Sequence, residues 1–143
     1  MVSQNPKDMG LLIPVLNAAF ENTESIPGRL LADTGYKNEP DLQLLEQLDV
    51  DGYVSIGREG KPVRPPSDDC PSSQAMLKKL KTRRGRALYK KRKGIVEPVF
   101  GWLKHVLGFR AFSLRGHRKV SGEWSLVCMA LNLRRMAARG AIA

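Results

Sequence analysis

The stretch Arg29-Leu30-Leu31-Ala32-Asp33-Thr34-Gly35-Tyr36 decides the fold of this chain. Its first four residues form an apolar run that is too short for a helix and suits a buried strand, which would end at Asp33. An apolar helical segment precedes it at residues 11–20, and a leucine-rich helical segment (41–48) and a second strand-like run (52–56) follow. The order helix, strand, helix, strand predicts an α/β fold with parallel strands joined by crossovers.

The rest of the chain is predicted to be a loop followed by helices. Residues 57–71 contain glycines, prolines and paired aspartates, which are typical of an irregular loop. A basic helical stretch at 73–93 is expected to be interrupted near Gly85. A helix at 95–107 must hold Pro98 in its first turn or bend there.

Two further patterns concern the ends of helices and their apolar faces. Asp8 is placed where its side chain could cap the first helix. Phe100 and Trp102 are expected to be core residues of the helix that carries them. The last helix, at about 120–138, has an amphipathic stripe. The stripe consists of Trp124, Val127, Cys128 and Leu131.

Composition indicates a globular protein of ordinary domain size. The chain has 143 residues, of which 42% are hydrophobic and 27% are charged. It has no apolar run long enough for a transmembrane helix and no signal-type N-terminus. Cys70 and Cys128 lie far apart without a ligand-type spacing, so we expect free thiols rather than a zinc site.

Charge is distributed very unevenly along the chain. Residues 1–69 hold 12 acidic residues and 6 Lys or Arg, whereas residues 70–143 hold 2 acidic residues and 18 Lys or Arg. From Lys78 to Lys93, 10 of 16 residues are Lys or Arg. A basic segment of this kind favours a nucleic-acid partner, although a solvated basic surface is the alternative.

Two acidic residues are candidates for chemistry. Asp33 would lie at the carboxyl end of a strand, the edge where ligands bind in open α/β sheets. Glu97 is one of only two acidic residues between Cys70 and Ala143, and it lies within a basic, helical context. Each has an ordinary alternative, since Asp33 could cap a turn and Glu97 could favour a helix N-terminus.

The spacing around Glu97 suits a phosphodiester site. On a continuous helix Lys93 and Glu97 share a face, and Lys104 lies about 20° off that face. A carboxylate can hold a divalent cation that activates an attacking water or hydroxyl, while neighbouring lysines bind the DNA backbone. Oxygen ligands favour Mg²⁺ or Mn²⁺ over zinc.

Three blocks of the sequence also resemble a known family. They are Leu31-Ala32-Asp33-Thr34-Gly35-Tyr36, the stretch Tyr89–Lys104 with Val96-Glu97-Pro98-Val99-Phe100-Gly101 at its centre, and the tail from Gly108 to Leu133. The blocks resemble DDE transposases of bacterial insertion sequences. The first block is similar to the strand-end motif with the second catalytic aspartate, and the second is similar to the block with the catalytic glutamate.

The resemblance implies a ribonuclease-H-like fold and a catalytic triad of two aspartates and one glutamate that holds Mg²⁺ or Mn²⁺. Asp33 and Glu97 would be the second and third members of that triad, as both catalytic residues and metal ligands.

The family also carries a Tyr–Arg–Glu–Lys signature, which implies DNA contacts. Lys104 has the spacing of that signature after Glu97. Lys93 occupies the usual arginine position, Arg92 lies beside it, and Tyr89 is one residue farther away than expected.

The first catalytic aspartate of the family has no counterpart that fits. Before Asp33 the chain offers only Asp8, which precedes a helix rather than ending a strand. We therefore expect the whole chain to be the C-terminal part of the catalytic domain. It would comprise an α/β portion (1–56), a loop (57–72) and a basic helical portion (73–143). With two of three carboxylates, metal affinity should be weak and the isolated chain inactive.

The resemblance implies DNA transposition, in which the intact enzyme cleaves DNA phosphodiester bonds and transfers strands. Transposon-end DNA would be the partner, with an upstream transposase portion and an oligomer as further expectations. The location would be the bacterial cytoplasm, at the nucleoid. A non-catalytic basic DNA-binding remnant remains the alternative, and a ribosomal-type RNA-binding protein would explain the charge alone.

Overall fold

The computed structural model describes residues 8–58 and 60–140. The chain divides into two compact units. The first unit ends at Gly94, and the second begins at Ile95 and includes the C-terminal helix.

The first unit is built around two parallel strands, β1 (Arg29–Ala32) and β2 (Asp51–Val54). Helix α1 (Leu12–Thr23) precedes β1, and helix α2 (Glu39–Gln47) forms the crossover between the strands. Arg29 is paired with Asp51 in the strand register, and their side chains form a 3.2 Å ion pair. The predicted order of elements and the parallel pairing are therefore confirmed, with the helices a few residues longer or shifted.

The core of the first unit lies between the sheet and its helices. α2 and helix α3 (Pro71–Lys81) both pack against β2. Burial of each large apolar side chain contributes about 1.5–3 kcal/mol, so this cluster supplies most of the driving force. The buried residues are Leu12, Leu16, Ala32, Leu42, Leu45, Val50, Val54, Ile56 and Met76.

Helix α3 receives its N-terminal cap from a distant residue. The backbone N–H groups of Ser72 and Ser73 donate to the carboxylate of Glu39, at 2.7 and 3.0 Å. The hydroxyl of Ser73 donates to the same carboxylate. Since the first turn of a helix has no internal acceptors for its N–H groups, Glu39 satisfies them and ties α2 to α3.

The break in the basic helical stretch falls earlier than predicted. α3 ends at Lys81, and helix α4 (Arg83–His105) begins directly after Thr82. The Thr82 hydroxyl accepts from the N–H of Gly85 at 2.9 Å, as an N-cap does. Gly85 lies in the first turn of α4, where the carbonyl of Lys79 leaves no room for a Cβ. The glycine therefore permits the tight junction instead of interrupting the helix.

Pro98 is inside α4 and not in a first turn, so the expectation of a separate helix starting near residue 95 is wrong. The second unit contains the end of this helix and helix α5 (His117–Ala138).

The apolar face of α5 agrees with the predicted stripe. Leu131 is buried, and Trp124, Val127 and Cys128 are partly buried. Leu103 on α4 is also buried, but Phe100 is 46% exposed, so its expected place in the core is wrong.

The segment between α4 and α5 is held by aromatic packing and one carboxylate. The rings of Phe109 and Phe112 meet edge to face at 5.3 Å, and both contact Trp124. The carboxylate of Glu123 accepts from the N–H groups of Ser113 and Leu114, at 2.8 and 3.0 Å. Within the described part of the chain, none of the helices combines the length and apolar character needed to cross a membrane.

Candidate functional site

Asp33 lies directly after β1, at the carboxyl edge of the sheet. Its Oδ1 accepts from the N–H of Gly35 at 2.9 Å and so caps a single 3-10 turn, Thr34–Tyr36. The capping alternative is therefore correct for one oxygen. The other oxygen, Oδ2, lies 3.9 Å from Nη1 of Arg92, and the side chain is 46% exposed. Asp33 thus keeps an accessible carboxylate beside a cation.

Asp8 has a place that the sequence pattern did not predict. It does not cap α1, because the residue at the N-cap is Leu11 and no side chain bonds there. Instead its carboxylate lies against Gly35. A Cβ on Gly35 would lie 2.9 Å from Oδ2 of Asp8 and 3.1 Å from Oδ1 of Asp33. No spacing rule connects residues 8 and 33, which the packing of the first unit brings together at Gly35.

The carboxylates of Asp8 and Asp33 also affect the pKa of a neighbouring side chain, the phenol of Tyr36. Partial burial raises the pKa of Tyr36, and the negative charges of Asp8 and Asp33 raise it further. Both charges therefore face the same small region at the edge of the sheet.

Asp8 and Asp33 line a polar cavity of about 270 Å³. Arg92 and Tyr89 also line this cavity, and the guanidinium carbon of Arg92 lies 5.7 Å from the centroid of the Tyr89 ring. The Nε of Arg92 is buried and has no hydrogen-bond partner among the described residues. The Arg92 side chain is 22% exposed, and a guanidinium that lines a cavity in this way can donate to a phosphate oxygen. The cavity is completed by Thr34, Gly35, Ser55, Gly57 and Arg58.

A second, apolar cavity of about 440 Å³ adjoins the first one. The two share Ser55, Gly57, Tyr89 and Arg92. Its floor is apolar, whereas its rim is cationic and includes Lys93, one of the predicted DNA contacts. The apolar residues are Ile56, Val63, Leu77 and Leu80, and the other basic residues are Lys81, Arg86 and Lys90.

The structure therefore brings three of the predicted site residues together: Asp33, Tyr89 and Arg92. Of the other three, Lys93 lines the adjoining apolar cavity, whereas Glu97 and Lys104 belong to the second unit and are exposed on α4. Glu97 lies well inside α4, so the alternative of an acid at a helix N-terminus is wrong for it.

The side chains at the polar cavity indicate which metal ion could bind there. In residues 8–58 and 60–140, no group of three or more His, Cys, Asp or Glu side chains is arranged to hold a metal. The pair formed by Asp8 and Asp33 nonetheless offers hard carboxylate oxygens, and Gly35 leaves the space between them free of a side chain. That chemistry fits Mg²⁺ or Mn²⁺ and does not fit zinc.

Comparison with known proteins finds a family match for one region of the chain. Residues 69–137 match the sequence model of a family described as "Transposase DDE domain". The match includes Tyr89, Arg92, Glu97 and Lys104, whereas Asp33 precedes it. No curated protein and no solved structure is significantly similar to the chain.

Proposed function

We propose that this protein is part of a DDE transposase whose intact form acts on DNA through a metal-dependent phosphodiester site; the proposal is supported by the match of residues 69–137 to the transposase DDE domain model. The observation that carries the proposal is the juxtaposition of Asp33, Arg92 and Tyr89 at the carboxyl edge of a parallel sheet. A carboxylate and a guanidinium that line one cavity suit a cation and the phosphate that it neutralises.

The roles of the individual residues follow from their chemistry. Asp33 and Glu97 would hold Mg²⁺ or Mn²⁺, which supplies activation of a nucleophilic oxygen and stabilisation of the leaving oxygen. Arg92 lines the cavity and would donate to a non-bridging phosphate oxygen from the exposed part of its guanidinium. Tyr89 packs beside that guanidinium and fixes its plane.

The basic surface supports a polyanionic substrate. Between Lys78 and Lys93, every Lys and Arg except Lys79 and Arg92 is exposed. These side chains lie on α3 and the first part of α4, close in sequence to the cavity residues. Such a surface binds the DNA backbone without reading sequence, and it positions the strand for the site.

A ribonuclease-H-like arrangement is part of the same proposal. It is supported by the parallel strands, the crossover helix α2 and the place of Asp33 at the carboxyl edge of β1. Lys93 and Lys104 would contact phosphates next to the cation, in the roles of the family signature.

DNA binding can be tested by fluorescence anisotropy with a labelled duplex over a range of salt concentrations. Replacing Lys90 and Lys91 together by alanine should weaken binding and reduce the salt slope by roughly 2, since each lost phosphate contact reduces it by about 1. Replacing Lys61 and Arg64, which lie in the loop before α3, removes the same charge and should leave the slope nearly unchanged. Equal effects of both double variants would contradict the proposed surface.

The second candidate function is non-catalytic DNA binding, which the exposed basic surface alone favours. It predicts DNA binding that is independent of metal and survives loss of both Asp33 and Glu97. The leading proposal predicts instead that Mn²⁺ strengthens binding of the wild-type chain to DNA. The variant with both carboxylates replaced by alanine should lose this Mn²⁺ effect but keep its salt dependence.

A further inference from the structure

We propose that Asp8 is a ligand of the same divalent cation as Asp33, so that the first unit supplies two carboxylates to the site by itself. This inference rests on the proposed function, because it concerns the cation that Asp33 would hold. It also changes the expectation that nothing before Asp33 contributes to the site.

The Asp8 side chain makes no hydrogen bond and no ion pair with the residues that the structure describes. Its backbone carbonyl accepts the N–H of Leu11 at 3.0 Å, which closes the turn before α1. The side chain does not cap the helix, and it lies exposed at the wall of the polar cavity.

Carboxylate oxygens of Asp8 and Asp33 both lie close to Gly35. One oxygen of Asp8 and one of Asp33 lie 2.9 and 3.1 Å from the point that a Cβ of residue 35 would occupy. Two carboxylates that face the same small region repel each other, and a shared divalent cation removes that repulsion. The glycine keeps that space free of side-chain atoms, and its N–H orients Oδ1 of Asp33.

Arg92 lies beside only one of the two oxygens of Asp33. The ion pair of Arg92 is to Oδ2 of Asp33, at 3.9 Å, and not to the Oδ1 that faces Asp8. The guanidinium thus neutralises one side of the carboxylate and leaves the side between the two aspartates open. Phosphate at Arg92 and a cation at the aspartates would then lie on neighbouring sides of Asp33.

Terbium luminescence tests the inference on the full chain. Tb³⁺ binds hard oxygen ligands, and its emission increases when it lies near a tyrosine, here Tyr36. We expect Asp8→Asn to weaken Tb³⁺ binding at least about tenfold, because loss of even an outer-shell partner costs 10–100-fold in metal affinity. Asp33→Asn should have an effect of at least that size. Asp69→Asn, in the exposed loop before α3, is the control of equal charge.

Two glycine substitutions separate the effect of ligand geometry on Tb³⁺ binding from the effect of charge. Gly35→Ala places a methyl group against the oxygens of both aspartates and should weaken Tb³⁺ binding although every charge is retained. Gly28→Ala is the matched control, because a Cβ there meets no atom within 4 Å. Circular dichroism of each variant establishes that the fold is intact.

The outcomes distinguish this inference from the proposed function. If Asp8→Asn behaves like Asp69→Asn while Asp33→Asn loses Tb³⁺ binding, Asp8 is not a ligand and the proposed site stands without it. If neither Asp8→Asn nor Asp33→Asn changes binding, both the inference and the assignment of Asp33 are wrong. Loss of binding in Asp8→Asn, Asp33→Asn and Gly35→Ala, with both controls unchanged, supports the shared site.

Discussion

Replacing Glu39 by alanine should destabilise the first unit by about 2–3 kcal/mol. The change removes the acceptor of two backbone N–H groups at the start of α3 and of the Ser73 hydroxyl. Loss of a helix cap costs about 0.5–2 kcal/mol, and a hydrogen bond to a charged group contributes about 1.5–3 kcal/mol. Ser72 and Ser73 are 6% and 0% exposed, so water replaces the lost bonds poorly. The carboxylate itself is only partly buried, which places the total in the lower part of the summed range.

Thermal and urea unfolding followed by circular dichroism measures this effect. For a unit of this size, 1 kcal/mol corresponds to a shift of about 4–8 °C in Tm, so a decrease of about 8–24 °C is expected. Glu39→Gln keeps one neutral acceptor oxygen and should cost about half as much. Glu21→Ala, on the exposed face of α1, is the control and should change stability by less than about 0.5 kcal/mol.

The contact of the Glu39 carboxylate with Ser72 and Ser73 makes the stability of the first unit depend on pH. Burial alone would raise the pKa of Glu39, but hydrogen bonds from Ser73 and Ser72 outweigh it and lower the pKa below the ordinary value of 4.5. The contribution is therefore fully present above the ordinary pKa and is lost as pH falls through the lower folded value. Glu39→Gln should have a shallower loss of stability over this acidic range than the wild type. Equal stability of Glu39→Ala and Glu21→Ala would refute the account of α3.

Three further predictions concern the remaining contacts. Gly85→Ala should destabilise the first unit by more than about 1 kcal/mol in urea unfolding, since a Cβ there overlaps the Lys79 carbonyl; an unchanged midpoint would show that the α3–α4 junction can relax. Leu45→Ala should cost about 2–5 kcal/mol in the same assay because the side chain is 2% exposed within the core. The pKa of Glu123 is lowered by the N–H groups of Ser113 and Leu114, so protonation at acidic pH should release these bonds. In Glu123→Gln we expect faster amide hydrogen exchange at both positions already at neutral pH, and unchanged exchange would contradict that role.

The local architecture was largely predictable because it depends on neighbouring residues. The apolar run 29–32 and the leucine spacing of 41–48 are explained by short-range periodicity, and both elements form at those places. The junction at Thr82 was misplaced because glycine is a weak helix former in general. Here the decisive feature is the close approach of a carbonyl from the preceding helix.

The candidate site was predictable only in part. Asp33 could be proposed from its place after a strand, whereas Tyr89 and Arg92 could be proposed only from the resemblance to the family signature. The position of Asp8 depends on how α1 packs on the sheet, and that of Glu39 on how α2 meets α3. Both are long-range consequences of the core, which local patterns do not encode.

The most direct test of the central claim is a calorimetric titration of the full chain with Mn²⁺. The proposed site predicts measurable Mn²⁺ binding that disappears when Asp33 and Glu97 are both replaced by alanine. A control variant with Glu21 and Asp69 replaced by alanine carries the same charge change and should bind as the wild type does. Unchanged Mn²⁺ binding after loss of Asp33 and Glu97 would contradict the assignment of these residues as the metal ligands.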